Sequence, residues 1–344
     1  MNFAIINEST KYTGLGRYAM DIASATNAKL FSLNLDSSID PLKYPGSVIS
    51  NKSFPKIGNG WYMNHRFPSL FLNGIGKQIK NKITRDTIIH YSSQGIPHLN
   101  ISNRYFYTVL DLFGIDPKYN SDARLRRILE KNLKKISSGE RIVTISQFVK
   151  SQLLKFGIDG KINVIYPPVS SSFKLLNDRI LIRKLLGLPE DKKLVLNVSS
   201  ESPRKNLKAV TETMQLLGEE YNLVRVGRPI GDSYSFSNID DEKLNMIYNA
   251  CDVLLFPSLD EGFGFPVAEA MTVGLPVVAS DIAAFHEIAE NAAVLVEPTP
   301  IKLAKGIREA IDVRDNFINL GFQKAKKYSF DRFKEEMNTL YKQI

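Results

Sequence analysis

The chain has 344 residues, of which 43% are hydrophobic and 24% charged, and a formal net charge of +9. These are the proportions of an ordinary globular protein long enough for two domains, and they exclude a disordered or fibrous chain. A single cysteine excludes an internal disulfide and fits a reducing compartment, no run of 18 apolar residues predicts a transmembrane helix, and the excess of cations favours anionic partners.

In chain order, the first half reads as strands alternating with helices. Asn2 to Ile6 is an apolar strand, followed by Lys11-Tyr12-Thr13-Gly14-Leu15-Gly16-Arg17-Tyr18 and a helix through Ala25. Strand, Gly-x-Gly turn and helix N-terminus together form an anion-binding layout. A dinucleotide fold competes for this stretch, although Ala19 stands where its third glycine would be. The N-terminus has no basic segment followed by a long apolar one, so no signal peptide is expected and a cytoplasmic location is. Lys29 to Leu35 is a second strand, and residues 36 to 60 read as loop. Trp61 to Lys82 interleaves aromatic and aliphatic residues with Arg66, Lys77, Lys80 and Lys82. That pattern fits either a membrane-surface segment or a core helix with solvated lysines.

Thr87 to Tyr91 and Tyr105 to Leu110 read as strands, with His90 near the end of the first. A lone histidine there is more often a packed core residue than a reactive one. Ser121 to Ser137 is an amphipathic helix with Arg124, Arg127, Lys131, Lys134 and Lys135 on one face. This face is either a solvated surface or a contact for anionic lipid heads. Arg141 to Ile145 is a strand, Ser146 caps the next helix, and Ile162 to Ile165 is a strand closed by Tyr166-Pro167-Pro168.

The second half begins with the strand Leu194 to Val198. Pro203-Arg204-Lys205-Asn206 then opens a helix running to about Leu217. Two cations at a helix N-terminus oppose its dipole, and a bound diphosphate would remove the conflict. Leu223 to Val226 is a strand with Gly227 at its carboxyl end, where open α/β sheets bind ligands. Ile239 precedes a helix capped by Asp240 or Asp241. Cys251, ahead of an apolar strand, reads as a small core residue.

The strand Val253-Leu254-Leu255-Phe256 leads into Glu261-Gly262-Phe263-Gly264-Phe265-Pro266-Val267-Ala268-Glu269-Ala270-Met271. Its glycines allow close approach of backbone to a ligand, and Pro266 fits a first helical turn. Amides suited to phosphate, next to carboxylates suited to hydroxyls, point to a nucleotide sugar. Val277 to Ala279 and Val294 to Val296 are further strands, and residues 300 to 344 are helical in pattern, with a new start near Tyr328-Ser329-Phe330.

The string from Glu261 to Met271, flanked by Pro257-Ser258 and by Gly274-Leu275-Pro276-Val277, resembles the signature of the retaining GT-B glycosyltransferases of family 4. Pro203-Arg204-Lys205-Asn206 and Gly14-Leu15-Gly16-Arg17-Tyr18 resemble that family as well. The resemblance implies an α/β GT-B fold of two doubly wound Rossmann-like domains facing a cleft. Residues 1–166 would form the acceptor-side domain, 167–328 the nucleotide-sugar donor domain, and 329–344 a helix crossing back to the first.

By the same resemblance a hexose of mannose or glucose type moves from GDP-mannose or a UDP-hexose to a glycan or lipid-linked acceptor, with its anomeric configuration retained. Arg204 and Lys205 would neutralise the leaving diphosphate, Glu261 would hold the sugar, and Glu269 would hold the ribose. Gly14, Gly16, Gly227, Ile239, Gly262, Phe263, Gly264 and Phe265 would complete the donor site, and Tyr12 and Asp111 would face the acceptor. Leu110 stands where the family usually has a histidine. No Asp-x-Asp motif or His/Cys cluster is present, so no metal and no cofactor are expected. No nucleic-acid partner is expected, while an anionic membrane surface is a candidate partner. A nucleotide-sugar epimerase or hydrolase of the same fold and a non-catalytic sugar-binding protein are the competing readings.

Overall fold

The structure is a computed structural model that describes residues 2–7, 14–32, 76–96, 98–99, 101–102, 104–137, 141–158 and 160–343. Tyr12 and the part of the Trp61–Lys82 stretch before residue 76 lie outside the described residues.

The described chain divides into two compact units, Met1–Pro168 with Phe330–Ile344, and Val169–Ser329. The first contains β1 (Phe3–Asn7), α1 (Gly14–Thr26), β2 (Lys29–Ser32), β3 (Ile88–Tyr91), β4 (Tyr105–Val109), α2 (Ala123–Ser137), β5 (Arg141–Thr144), α3 (Gln147–Lys155) and β6 (Ile162–Val164). Its six strands are parallel, in the order β2-β1-β3-β4-β5-β6. Strand direction of growth reverses between β1 and β3, so the carboxyl ends of those two strands flank the topological switch point.

The second unit opens with α4 (Arg179–Leu186), β7 (Lys193–Val198), a 3₁₀ turn at Pro203–Lys205, α5 (Leu207–Leu217), β8 (Tyr221–Val226) and β9 (Tyr234–Phe236). It continues with α6 (Asp241–Ala250), β10 (Val253–Phe256), α7 (Phe265–Val273), β11 (Val277–Ser280), α8 (Ala283–Ile288), β12 (Val294–Val296), α9 (Pro300–Asp312) and α10 (Arg314–Ala325). Its sheet is also parallel, in the order β12-β11-β10-β7-β8-β9. The switch point here lies between β7 and β10, the strands that precede the Arg204-Lys205 turn and the Glu261–Gly264 loop.

Parallel strands covered on both faces need unbroken apolar runs. Val253–Phe256 and Val277–Val278-Ala279 are of this kind and are fully buried. Val195, Leu255 and Val278 pack with Val210, Leu303 and Ile307 in one apolar cluster with α5 and α9. Burial of each such large side chain contributes about 1.5–3 kcal/mol. Helix ends follow the sequence chemistry. Ser146 Oγ accepts from the Val149 amide at 3.1 Å, and Asp240 Oδ1 from the Lys243 amide at 2.8 Å. Val169 N–H donates to Tyr328 O at 2.8 Å, so the two ends of the second unit are tied together.

The final helix, α11 (Phe330–Lys342), packs on the first unit. Phe333, Met337, Leu340 and Tyr341 are buried there, with Tyr341 stacked on Phe3 at 4.4 Å between ring centroids. Cys251 is fully buried and its thiol is pushed well above the ordinary range by desolvation, as befits a core residue.

Candidate active site

The site is built on the carboxyl ends of β7 and β10. After β7 the chain turns through Ser199–Ser202 into the 3₁₀ turn, and Asn206 takes a left-handed conformation, φ 53°, before α5 starts. Arg204 and Lys205 therefore sit on a separate tight turn ahead of the helix, where the sequence pattern had suggested one continuous helix. That turn is laced to the loop after β10. The Leu259 amide donates to Arg204 O at 2.7 Å, and Arg204 Nη1 donates to Asp260 O at 3.1 Å.

Glu261 joins the same cluster. Arg204 Nη1 lies 2.8 Å from Glu261 Oε2, and Lys205 Nζ is hydrogen-bonded to Glu261 Oε1. Lys205 and Glu261 are 9% and 6% exposed. Lys205 Nζ also lies 4.9 Å from the centre of the Phe256 ring, a cation–π contact. The sequence treats these cations and this carboxylate as separate ligand contacts, and the structure brings all three into one ion cluster. Glu261 thus supplies the counter-charge for two cations that the sequence had left without one. One carboxylate is thus shared by two adjacent cations.

Gly262, Phe263 and Gly264 are buried between this cluster and α7. Gly264 is the N-cap of α7 with φ 110°, and a Cβ there would come within 2.7 Å of the Phe285 ring. Only glycine fits that position. Phe263 packs edge-on against Phe265 and Tyr328. The α7 N-terminus brings the positive end of its dipole to the same loop. Glu269 is 2% exposed in the second turn of α7, and Tyr248 on α6 donates to its Oε2 at 2.7 Å. Tyr248, which no local sequence signal marks, thereby joins the residues around Glu269. Ile239 is half-buried in the turn before α6.

Gly227 follows β8 with φ 141°. A Cβ on it would come 2.6 Å from Ser199 O and 2.9 Å from an Arg225 Nη, so the need for glycine here arises from the protein's own packing.

In the first unit, Gly14 and Gly16 are the first and third residues of α1, within its first turn and not in a loop before it. Asp111 lies just past β4, where its Oδ1 accepts from the Phe113 amide at 3.1 Å and its carbonyl accepts from Gln94 Nε2 at 2.8 Å. Leu110 is buried. His90 is 1% exposed, with Nδ1 2.5 Å from Tyr341 Oη and Nε2 2.8 Å from Thr108 Oγ1. Burial depresses its pKa to about 3. It is therefore a hydrogen-bonded core residue and does not take the place of the missing histidine at Leu110.

Two α/β units with parallel six-stranded sheets and a site at a switch point define the GT-B class of fold. The same fold is found in solved structures. Anabaena Alr3699/HepE in complex with UDP and glucose matches with a TM-score of 0.79 at 17% identity, covering 100% of both chains. Sucrose-phosphate synthase from Thermosynechococcus elongatus matches at 0.78 and 19% identity, covering 100% of this chain and 98% of the other. The glycosyltransferase WaaG, involved in lipopolysaccharide biosynthesis, matches at 0.75 and 18%, covering 98% and 99%.

Residues 178–321 match the family model for glycosyl transferases group 1. Among curated relatives, the O-antigen chain mannosyltransferase RfbU of Salmonella typhimurium is 29% identical over 64% of this chain and 65% of its own length. The O-antigen chain mannosyltransferase B of Escherichia coli is 25% identical over 99% of this chain and 100% of its own. The chain therefore aligns with just under two thirds of the first of these and with the whole of the second.

Proposed function

We propose that the chain transfers a hexose, mannose in the first instance, from a nucleoside-diphosphate sugar to a hydroxyl of a glycan or lipid-linked acceptor in polysaccharide assembly. The observation that carries this reading is the Arg204–Lys205–Glu261 cluster set beside the Gly262–Gly264 loop and the N-terminus of α7. Its two adjacent cations suit a diphosphate, and charge developing on that leaving group is where fixed cations lower a barrier most. Glu261 would hold sugar hydroxyls, and Glu269, oriented by Tyr248, the ribose diol. The mannosyltransferase relatives favour GDP-mannose as donor, with a UDP-hexose as the alternative.

Retention of anomeric configuration, independence of metal and absence of a cofactor belong to the same proposal. By the family resemblance, the leaving phosphate would take the acceptor's proton on the face it departs from. No described helix is long and apolar enough to cross a membrane. We place the reaction in the cytoplasm, at the inner face of the membrane.

The test is thermal unfolding with GDP, UDP, GDP-mannose and UDP-glucose, followed by transfer assays with and without EDTA. A ligand at 100 times its dissociation constant adds about 2.7 kcal/mol of stability. The proposal expects stabilisation by one nucleotide class and an α-linked product formed in EDTA. Stabilisation by neither class would remove the donor reading, and donor turnover without an acceptor would favour the epimerase or hydrolase.

A further inference from the structure

Arg225 is the next-to-last residue of β8, a parallel strand whose other buried positions are Tyr221, Leu223 and Val224, and it is fully buried. A buried charge costs several kcal/mol unless its hydrogen-bonding groups are satisfied. All the acceptors bonded to this guanidinium are neutral. Nε donates to Arg228 O at 2.8 Å, Nη1 to Asn197 Oδ1 and to Ser199 Oγ at 3.1 Å, and Nη2 to Ser199 O at 2.9 Å. Asn197 in turn donates through Nδ2 to Leu255 O at 2.9 Å and accepts from Ser199 Oγ at 3.0 Å.

The result is one polar staple across β10, β7 and β8, at the end of the sheet that carries the site. Ser199 begins the segment that becomes the Arg204-Lys205 turn, and Arg228 is the second residue of the loop after β8. That second loop is tied to the same segment by the Arg228 amide, which donates to Glu201 Oε1 at 3.2 Å. Gly227 is held to glycine by the same Ser199 and Arg225 atoms.

We infer that Arg225 is a positioning residue for donor binding: its planar fork fixes the Ser199–Lys205 segment and the Gly227-Arg228 loop in the geometry the donor requires. The inference rests on the donor reading above only for its consequence, and the fastening itself stands on the hydrogen bonds. Lysine keeps the charge but cannot span four acceptors, because its ammonium is a single compact centre. The fork, and not the charge, is therefore the feature to remove.

The experiment compares the full-length protein with Arg225→Lys and, should that variant fold poorly, with Ser199→Ala, which deletes one acceptor at a partly exposed position. Hydrogen exchange of residues 199–206 in the ligand-free chain is expected to rise at least about tenfold, with α9 unchanged. Donor KM is expected to rise about tenfold, with kcat at saturating donor within about twofold. A residue that merely stabilised the fold would lower the active fraction and leave KM in place. Unchanged exchange at residues 199–206, or an unmoved donor KM in a well-folded variant, would overturn the inference. If the wild-type chain binds neither GDP nor UDP, the donor reading fails, while the exchange measurement still decides whether Arg225 fastens these loops.

Discussion

At the scale of single residues, Glu261 carries two roles that pull in opposite directions. It balances Arg204 and Lys205 in the ligand-free chain and would bind the sugar in the loaded one. Glu261→Gln removes the negative charge that Arg204 and Lys205 share, which lowers the stability of the free protein. A diphosphate restores that counter-charge. Nucleotide is therefore expected to raise the melting temperature of Glu261→Gln by more than it raises that of the wild type, even as turnover falls. Equal shifts in the two proteins would separate Glu261 from the diphosphate. Lys205→Ala should weaken donor binding and slow transfer about 10²-fold, the usual loss for a preorganised electrostatic donor. Wild-type kinetics in the purified variant would remove Lys205 from the site.

His90 gives a pH prediction. Its pKa is about 3 in the folded chain, against an ordinary 6.5, because burial disfavours the imidazolium. Between those values the unfolded chain binds the extra proton and the folded one does not, so stability falls as pH drops below about 6.5 and is level above it on this account. Melting temperature followed from pH 7 to pH 5 should fall less steeply in His90→Gln than in the wild type, although the variant starts lower. Parallel curves would mean that His90 is not the group responsible.

At the scale of elements, the α7 N-terminus depends on one backbone conformation. Gly264 has φ 110° and no space for a Cβ beside Phe285. Gly264→Ala is expected to cost about 1–3 kcal/mol of stability from strain alone. It should also weaken nucleotide binding, because the loop that offers its amides must shift. Denaturant unfolding and nucleotide titration check both, and a variant with wild-type stability would show that the loop relaxes without consequence.

At the scale of the whole molecule, the basic face of α2 bears on where the protein works. Arg124, Arg127, Lys131 and Lys134 are exposed, whereas Leu129 and Leu133 on the other side are buried in the first unit. The apolar side of the helix is thus committed to the protein's own core and is not available to insert. Association with an anionic bilayer would be electrostatic, on the order of 1 kcal/mol per basic residue, and screened by salt. Co-sedimentation with anionic vesicles at low salt, lost at high salt and in a variant with Arg124, Arg127 and Lys131 changed to glutamine, is the expected result. Active protein that stays in the supernatant at low salt would leave the basic face as a solvated surface.

The sequence by itself determined the alternation of strand and helix, the two-sheet α/β class, the cap at Ser146, a cap at Asp240 or Asp241, and the loop from Glu261 to Gly264. Each of these is a local property: an apolar run, a capping side chain, a glycine-containing turn. Tertiary structure decided the rest, because it depends on residues far apart in the chain. The pairing of Arg204 and Lys205 with Glu261 crosses more than fifty positions, and that of Tyr248 with Glu269 crosses two elements. His90 became a core residue only when Tyr341, 251 positions away, closed over it. Short β9 was missed for the opposite reason, since three residues carry little pattern, whereas the helix Arg179–Leu186 was missed although its short sequence is amphipathic. Arg225 looks like an interruption in an apolar strand until the parallel sheet sets Asn197 and the Ser199 loop beside it. Sequence spacing fixes which side chains share a face of one element, but only the packing of elements sets which charges and hydrogen-bonding groups meet.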